Sequence, residues 1–355
     1  MPKWIKGIYV IRVASLYTGV GGLDFGFILN EAFSHVFANE WSKDAASTFS
    51  FNYERLKGHS ADFLKIGDIA EFLPTVPEHD LLLGGFPCPS WSLAGKRQGF
   101  DDVRGQEFFN CLNVVSTHKP KMFVFENVKG LLSHNNGESL AFMLEKLVGE
   151  GYTVNATLHN FANYGIPQRR ERVFMIGIRN DIKPFVVEFD KKPAPIVSEV
   201  MEYVKANCTF GRFNHNLHIG NGKAKYHWFK ILRPGENLKD LSEDEVLRRE
   251  TELGLPPRRP LPKTLMGYVR MDPTTVAKTM AFGNTCLPMH PFEDRSISVR
   301  EAATIQSFPL DFEFKGGIAA QYKQVGNAVP YEMGLKLANI IAANLEIPME
   351  LKKHG

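Results

Sequence analysis

Cysteine is scarce in this sequence, and neither sign of charge is in strong excess. Four cysteines occur among 355 residues, and none of them forms a Cys-x-x-Cys pair or a zinc-type spacing with histidine. Neither a metal site nor a disulfide framework is therefore indicated, and a reducing compartment fits the chain best. The net charge of +3 is too small to establish a nucleic-acid partner by itself.

Long hydrophobic runs are also missing. No apolar stretch approaches the roughly 18 residues of a membrane span, and the opening residues lack the core of a signal peptide. We therefore expect a cytoplasmic protein without a membrane partner. With 44% hydrophobic and 23% charged residues, the chain has an ordinary globular composition, and its length suits one large core plus a smaller one.

A glycine-rich turn follows the first predicted strand. Residues 8–16 are apolar and β-prone, and they lead into Tyr17-Thr18-Gly19-Val20-Gly21-Gly22. A strand, such a turn and then a helix form the nucleotide-cradling start of a doubly wound sheet. The dinucleotide spacing Gly-x-Gly-x-x-Gly fails because Asp24 stands at the third glycine, so no nicotinamide cofactor is expected.

Carboxylates follow the next two predicted strands. Glu40 comes about 20 residues after the glycines, where it could accept hydrogen bonds from both hydroxyls of a ribose. The adjacent Trp41 could stack on an adenine ring, and Asp68, followed by Ile69, could accept a hydrogen bond from the adenine amino group. Together these positions suit an adenosine moiety that needs no phosphate site.

Cys88 stands between Pro87 and Pro89, directly after a short apolar strand that ends in two glycines. Ligands of open α/β sheets bind outside the carboxyl ends of the strands, so the thiol would face a cleft. Residues 95–105 follow, a glycine-punctuated segment with three basic residues, and such a segment could form a lid over a polyanion. A structural cysteine in a proline turn is the ordinary alternative, and only the residues further along the chain favour a functional one.

Those further residues are a glutamate and a group of arginines. Residues 121–125 predict a strand that ends in Glu126-Asn127-Val128, a position that suits a residue holding a proton. The run Gln168-Arg169-Arg170-Glu171-Arg172 precedes another strand. Three arginines so close together would bind anions or carbonyl groups, or would simply form a solvated face.

The order of these motifs resembles that of the DNA cytosine-5 methyltransferases of bacterial restriction–modification systems. The resemblance continues near the C-terminus in residues 295–301, 306–309 and 324–329, and it covers roughly residues 10–185 and 290–345. Three positions in two motifs depart from the family pattern. Ser15-Leu16-Tyr17 replaces the usual Asp-Leu-Phe, and Pro89 replaces the glutamine that commonly follows the cysteine.

The resemblance implies an α/β fold with two domains. Residues 1–188, with residues 310–355 returning to them, would form a Rossmann-like S-adenosylmethionine-dependent methyltransferase domain. Residues 189–309 would form a smaller, irregular, mostly β target-recognition domain and hinge, and in that segment prolines cluster and basic residues alternate with aromatic ones. We also predict helices over residues 140–147, 241–252 and 331–345, the last rejoining the large domain.

The resemblance also assigns a chemistry. The Cys88 thiolate would add to C6 of a flipped-out cytosine, Glu126 would protonate N3, and Arg172, with Arg170 beside it, would bind the base carbonyl. C5 would then receive the methyl group of S-adenosylmethionine, leaving S-adenosylhomocysteine, without a metal. The implied cofactor contacts are Tyr17, Gly19, Gly21, Gly22, Glu40, Trp41, Asp68, Ile69, Pro87 and Asn327. The implied DNA contacts are Ser92, Lys96, Arg97, Arg104, Gln168, Arg258, Arg259 and Arg270.

The implied partner is double-stranded DNA. The protein would be a monomer at the bacterial nucleoid, and it would protect host DNA from a cognate restriction endonuclease without touching that enzyme. Two alternatives remain. An RNA cytosine-5 methyltransferase of the transfer-RNA branch would carry a Cys-Phe-Thr tripeptide, which this chain lacks. A catalytically inactive DNA-binding regulator would not need Cys88, Glu126 and Arg172 together.

Overall fold

A computed structural model describes residues 4–5, 8–87, 106–209, 211, 213–214, 223–257, 268–280 and 288–345. The elements up to residue 160 are β1 (Trp4–Ile5), β2 (Ile8–Tyr9), β3 (Ile11–Leu16), α1 (Asp24–Leu29), β4 (Phe33–Glu40), α2 (Lys43–Lys57), β5 (Leu64–Ile66), α3 (Ile69–Phe72), β6 (Leu81–Gly84), α4 (Gln106–His118), β7 (Met122–Val128), α5 (Glu138–Gly149) and β8 (Tyr152–Asn160). Those that follow are β9 (Gln168–Arg169), β10 (Glu171–Arg179), α6 (Val197–Asn207), α7 (Lys223–Ile231), α8 (Glu243–Glu252), β11 (Ala277–Lys278), α9 (Val299–Ile305), α10 (Ile318–Asn327) and α11 (Tyr331–Asn344).

One mixed sheet organises the first part of the molecule. Its strand order is β5–β4–β3–β6–β7–β10–β8. The first five strands are mutually parallel, whereas β10 runs antiparallel to both of its neighbours. A parallel sheet with helical connections is Rossmann-like, so the predicted α/β class is confirmed.

The central strands are apolar on both faces because helices cover the sheet. All four residues of β6 are buried, and so are the first six of β7. Buried side chains of α4 and α5, among them Val114, Val115 and Leu147, join the same core as Phe123 and Phe125. α5 confirms the helix predicted over residues 140–147.

The C-terminal helix packs against α1 through two glycines. A Cβ atom at Gly26 would lie 2.1 Å from the carbonyl carbon of Gly334, and one at Gly334 would lie 2.5 Å from the carbonyl oxygen of Leu23. Neither contact is sterically possible, so these positions require glycine for the two backbones to approach. α11 thus confirms the helix predicted over residues 331–345.

The chain forms two compact units. The first holds the described residues as far as Asn160, then Glu171–Asp190, and those from Glu332 onward; the second holds Phe161–Arg170 and the described residues of Lys191–Tyr331. Residues 310–331, which the sequence analysis assigned to the returning segment, therefore lie in the second unit. There the Phe312 ring contacts Phe308, Phe314 and Tyr331. The roles of the two units in catalysis and target recognition stay predictions.

Regular structure in the described part of the second unit is mainly helical. It comprises α6 to α10 and the two-residue strands β9 and β11, which pair in parallel. The expected mostly β character is therefore wrong for that part. In α6, Val197, Val200, Met201 and Val204 are buried at helical spacing, and β-branched residues there obscured the periodicity. α8 confirms the helix predicted over residues 241–252.

Candidate active site

Five strands bring their carboxyl ends to one edge of the sheet. The turn after β3, the end of β4, the segment after β5, the segment after β6 and the end of β7 all meet there because those strands are parallel. β10 runs in the opposite direction, so its first residues arrive at the same edge. Most of the predicted site residues of the first unit follow these strand ends.

The glycine turn closes on the carboxylate of Glu40. The Gly19 N–H donates to Oε2 at 2.8 Å, and the Ser42 N–H donates to Oε1 at 2.7 Å. Each carboxylate oxygen therefore keeps a lone pair for a further donor. Burial raises the pKa of Glu40, while these backbone donors act against that shift. The turn thus presents a half-buried acceptor beside backbone that can approach a ligand.

Two glycines of the turn have different reasons to be glycine. Gly19 has φ +60° and no atom within 4 Å of the position a Cβ would take, so its outer side is open. Gly21 has φ +84°, and a Cβ there would lie 2.7 Å from the Phe25 ring and 2.8 Å from Phe49. Gly22 is buried. The turn is consequently both open at Gly19 and tightly packed at Gly21.

Beyond β4 and β5, exposed apolar and acidic groups line the edge. The Trp41 side chain is 71% exposed, which leaves its indole face available to a planar ligand. Asp68 is half-buried, and its carboxylate caps α3 by accepting from the Ala70 N–H at 3.0 Å. The side chain of Ile69 is buried in the core, and the predicted contact of this residue with the cofactor stays a prediction. Ile66, which the sequence analysis did not select, is the exposed isoleucine of this segment.

A buried polar network lies beneath the glycine turn. The Thr18 hydroxyl is 2.9 Å from Ser15 Oγ and 3.1 Å from Asp24 Oδ1, and His35 Nε2 is 3.3 Å from the same Asp24 oxygen. In the sequence, Asp24 stands out only because it breaks a glycine spacing. No sequence signal linked it to His35, since Asp24 begins α1 and meets His35 of β4 only when that helix packs on the strand.

The described residues just before Cys88, residues 85–87, are hydrogen-bonded to β7. Asn127 Nδ2 donates to the Phe86 carbonyl at 3.1 Å, and a Cβ at Gly85 would lie 3.9 Å from Glu126 Oε2. Pro87 is exposed at the end of this described segment. Asn127 was part of the quoted motif but had no predicted role. Five predicted residues of the segment that follows lie outside the described residues: Cys88, Ser92, Lys96, Arg97 and Arg104.

Glu126 and Arg172 form an ion pair at the same edge. Arg172 Nε lies 2.9 Å from Glu126 Oε1, and both side chains are largely shielded from solvent. Arg172 pairs in register with Val128, which shares a strand face with Glu126. The arginine and the glutamate are therefore diagonal neighbours on one face of the sheet. The guanidinium also donates from Nη1 to the Glu171 carbonyl at 2.8 Å.

The other predicted polar contacts lie in the second unit. Gln168 and Arg170 are both buried there, as is Arg270, which is 5% exposed. Arg270 Nη2 donates to Asp294 Oδ1 at 2.7 Å and also to the Phe229 carbonyl. It holds the unit together, and its predicted DNA contact is wrong. Asn327 is exposed at the end of α10. Arg258 and Arg259 lie outside the described residues.

The two described cysteines are poor nucleophiles. Cys111 is fully buried in α4, and burial raises the pKa of its thiol well above the ordinary value. Burial also raises the pKa of Cys208. Because the thiolate is the reactive form of cysteine, neither side chain is suited to attack a substrate.

None of the helices in the described part of the chain has the length and apolar character of a bilayer crossing. That part also brings together no group of three or more His, Cys, Asp or Glu side chains able to hold a metal ion.

Comparison with known proteins places the chain in a family. The sequence model of the C-5 cytosine-specific DNA methylases matches residues 11–343. The Type II methyltransferase M.Sau96I of Staphylococcus aureus is 34% identical, over 91% of this chain and 73% of the relative. M.NgoFVII of Neisseria gonorrhoeae, also a Type II methyltransferase, is 34% identical over 93% of this chain and 86% of the relative.

Solved structures share the fold at lower identity. A prophage-encoded protein of E. coli, described as a DNA modification methyltransferase, has a TM-score of 0.67 at 20% identity, covering 94% of this chain and 99% of that one. The S. pombe Dnmt2 methyltransferase has a TM-score of 0.57 at 19% identity, with the same coverage. At these identities the likeness concerns the fold alone.

Fold and site together define a Rossmann-like methyltransferase. The chain belongs to the C-5 cytosine-specific DNA methylase family, and it is a DNA cytosine-5 methyltransferase. The resemblance to the enzymes of bacterial restriction–modification systems is thereby confirmed, and the methyl donor of the family is S-adenosylmethionine.

Proposed function

We propose that the enzyme methylates C5 of a flipped-out cytosine within a specific short sequence of double-stranded DNA, through a covalent bond between Cys88 and C6. The observation that supports this most is the Glu126–Arg172 pair, with its 2.9 Å contact, at the sheet edge that also carries Glu40. Gly85, three residues before Cys88 in the chain, approaches Glu126. A Cys88 thiolate in this region would lie near the Glu126 carboxyl group, whose position the Arg172 guanidinium already fixes.

In the proposed reaction, the chain's own residues make C5 reactive. The Cys88 thiolate forms a bond to C6, and the displaced ring electrons make C5 enamine-like as Glu126 donates a proton to N3. Arg172 binds the base carbonyl and fixes the Glu126 carboxyl group. After C5 is methylated, a water molecule takes up the C5 proton, the N3 proton returns to the Glu126 carboxylate, and the restored C5–C6 double bond expels Cys88 as a thiolate. Because a stacked base cannot reach these groups, the cytosine must leave the helix.

The residues at the sheet edge fit the cofactor of the family. S-adenosylmethionine, when bound, supplies the methyl group. Glu40 would accept the ribose hydroxyls with the lone pairs that Gly19 and Ser42 leave unused. The exposed Trp41 indole would cover the adenine ring, and Asp68 would accept from its amino group. The open side of Gly19 supports a close backbone approach.

We further propose that residues 190–290 determine which DNA sequence is methylated. The support is the alternation of basic and aromatic residues in this segment, and Arg258 and Arg259 are its best candidates for DNA contacts. Lys96, Arg97, Arg104 and Ser92 would contact the duplex near the flipped base. Exchange of the segment with that of a relative of different specificity should transfer the methylated sequence. A chimera that is active but still methylates the original site would contradict this assignment.

Bisulfite sequencing tests the activity and reveals the target. DNA from bacterial cells that express the wild type should contain protected cytosines at one short sequence, and DNA from cells that express Cys88→Ser should contain none. Purified enzyme should transfer labelled methyl groups to duplex DNA and not to transfer RNA. Transfer to RNA alone would favour the RNA methyltransferase, and methyl transfer to neither substrate would favour the inactive regulator.

The biological role follows from that target sequence. We propose that the enzyme acts as a monomer on the DNA of a bacterial nucleoid and blocks a cognate restriction endonuclease by methylation alone, without contacting it. DNA from expressing cells should resist an endonuclease that cuts the sequence found by bisulfite sequencing. DNA from Cys88→Ser cells should be cut completely.

A further inference from the structure

A hydrogen-bonded cluster joins the glycine turn to the first turn of α4. The Tyr17 hydroxyl donates to Glu107 Oε2 at 2.5 Å. Asn110 Nδ2 lies 3.3 Å from the same hydroxyl and 3.4 Å from the same carboxylate oxygen, so it supports both partners. Burial raises the pKa of the Tyr17 hydroxyl still further above neutral pH, so the group is protonated and can donate this hydrogen bond.

Tyr17 needs such an anchor because of its backbone. It has φ +57°, a left-handed conformation that is unfavourable for a side chain with a Cβ. This strained residue begins the glycine-rich turn, residues 17–22. It lies two residues before Gly19, whose N–H donates to Glu40. The Tyr17 carbonyl also faces Gly85, where a Cβ would lie 3.7 Å away. A shift of Tyr17 would therefore move the backbone on two sides of the site.

The Tyr17 hydroxyl distinguishes this chain from the usual family motif. The Asp-Leu-Phe that the family usually carries here would place a phenylalanine at position 17, which has no hydroxyl to donate. Glu107 and Asn110 would then have no partner on the turn. The anchoring is consequently an addition to the cofactor site and is separate from the contacts that Glu40 and Trp41 offer.

We propose that Glu107 and Asn110 are positioning residues that hold Tyr17 in its left-handed conformation and thereby preform the turn that binds S-adenosylmethionine. The inference rests on the proposed function of that turn. It assigns to the first turn of α4 a role in cofactor affinity, although α4 itself lies outside the predicted cofactor contacts. Neither residue touches the reacting atoms.

Calorimetric titration with S-adenosylhomocysteine tests the proposal in the full-length protein. Tyr17→Phe and Glu107→Ala should each weaken binding about tenfold, because without this hydrogen bond to a charged group the free protein holds the turn in its binding conformation only part of the time. The double variant should also lose about tenfold and not a hundredfold, since both changes remove the same interaction. Glu107→Gln keeps an acceptor oxygen and should retain most of the affinity. Glu138→Ala, which removes a first-turn glutamate from α5, is the matched control and should bind like the wild type.

Two further readouts separate positioning from a general loss of structure. With DNA in excess, the variants should show a raised KM for S-adenosylmethionine and an unchanged kcat, and their melting temperatures without ligand should stay well above the assay temperature, so that the loss of affinity is measured on folded protein. Wild-type affinity in Tyr17→Phe, or multiplicative losses in the double variant, would overturn the proposal. If Glu40→Ala weakens binding while Tyr17→Phe does not, the cofactor site stands and only the positioning role fails. If the wild type does not bind, both fail.

Discussion

Arg172 and Glu126 meet across antiparallel strands, with Nε of the arginine 2.9 Å from Oε1 of the glutamate. The register of β7 and β10 makes this contact possible, because Arg172 pairs with Val128 and so faces the same side of the sheet as Glu126. A charged partner inside a shielded site fixes the carboxyl group more firmly than a surface ion pair could. The pair is thus the part of the proposed machinery with the clearest geometry.

Changes to this pair should reduce turnover and leave cofactor binding intact. Glu126→Gln removes the acid that protonates N3, and Arg172→Lys removes the planar donor that holds it, so each should lower kcat by about 10²–10³-fold. The affinity for S-adenosylhomocysteine, measured by calorimetry, should not change. The matched control is Lys129→Ala, because Lys129 forms an exposed 2.9 Å ion pair with Glu171 nearby and should contribute little. Equal losses in control and test variants would contradict the assignment.

Cofactor affinity should fall at mildly acidic pH because of Glu40. Burial raises the pKa of this carboxyl above the ordinary 4.5, so the free enzyme takes up a proton at a higher pH than an exposed glutamate would. Only the ionised form can accept both ribose hydroxyls. Below the raised pKa, binding should weaken by about tenfold per pH unit, as calorimetry across a pH series would measure.

A neutral residue at position 40 provides the control for this pH dependence. Glu40→Gln should bind more weakly at neutral pH and should respond little to acid. If wild-type affinity stays constant down to the pH at which an ordinary glutamate is half protonated, Glu40 is not the titrating acceptor.

The close packing of α1 and α11 predicts a stability effect. Gly334→Ala would put a methyl group 2.5 Å from the Leu23 carbonyl oxygen, and the helices would have to separate. We expect a loss of about 1–3 kcal/mol or more in the free energy of unfolding, measured by urea titration. Gly149→Ala, at a helical position with no atom within 4 Å, should change stability by less than about 1 kcal/mol. An unchanged Gly334→Ala variant would contradict the packing of the C-terminal helix.

The sheet and the cofactor edge were predictable because each depends on local patterns. Apolar runs ending in Gly84 and Glu40 mark strand ends, Glu126 lies two residues before the end of β7, and parallel strands bring their carboxyl ends together. The order of motifs along the chain then fixes which chemical groups share the edge. Helical spacing identified α5, the acidic character of residues 241–252 indicated α8, and the patterning of the last segment indicated α11.

The roles of the arginines were not predictable, because a basic residue looks alike in sequence whether it binds DNA or a neighbouring carboxylate. Arg270 lies near its partner Asp294 only in the folded unit, 24 residues apart in sequence. The exposure of Ile66 and Ile69 was not predictable for a related reason, because it depends on where β5 ends and α3 begins: Ile66 is the exposed last residue of the strand, and Ile69 is the buried first residue of the helix.

The covalent mechanism is tested most directly with a DNA duplex whose target cytosine carries fluorine at C5. Elimination of the enzyme needs a proton at that carbon, so the fluorinated base should trap it after methyl transfer. Wild-type protein with S-adenosylmethionine should give a protein–DNA adduct that survives denaturation, Glu126→Gln should form it slowly, and Cys208→Ala should form it normally. Cys88→Ser should give none. An adduct that persists in Cys88→Ser, or its absence from an active wild type, would contradict the account.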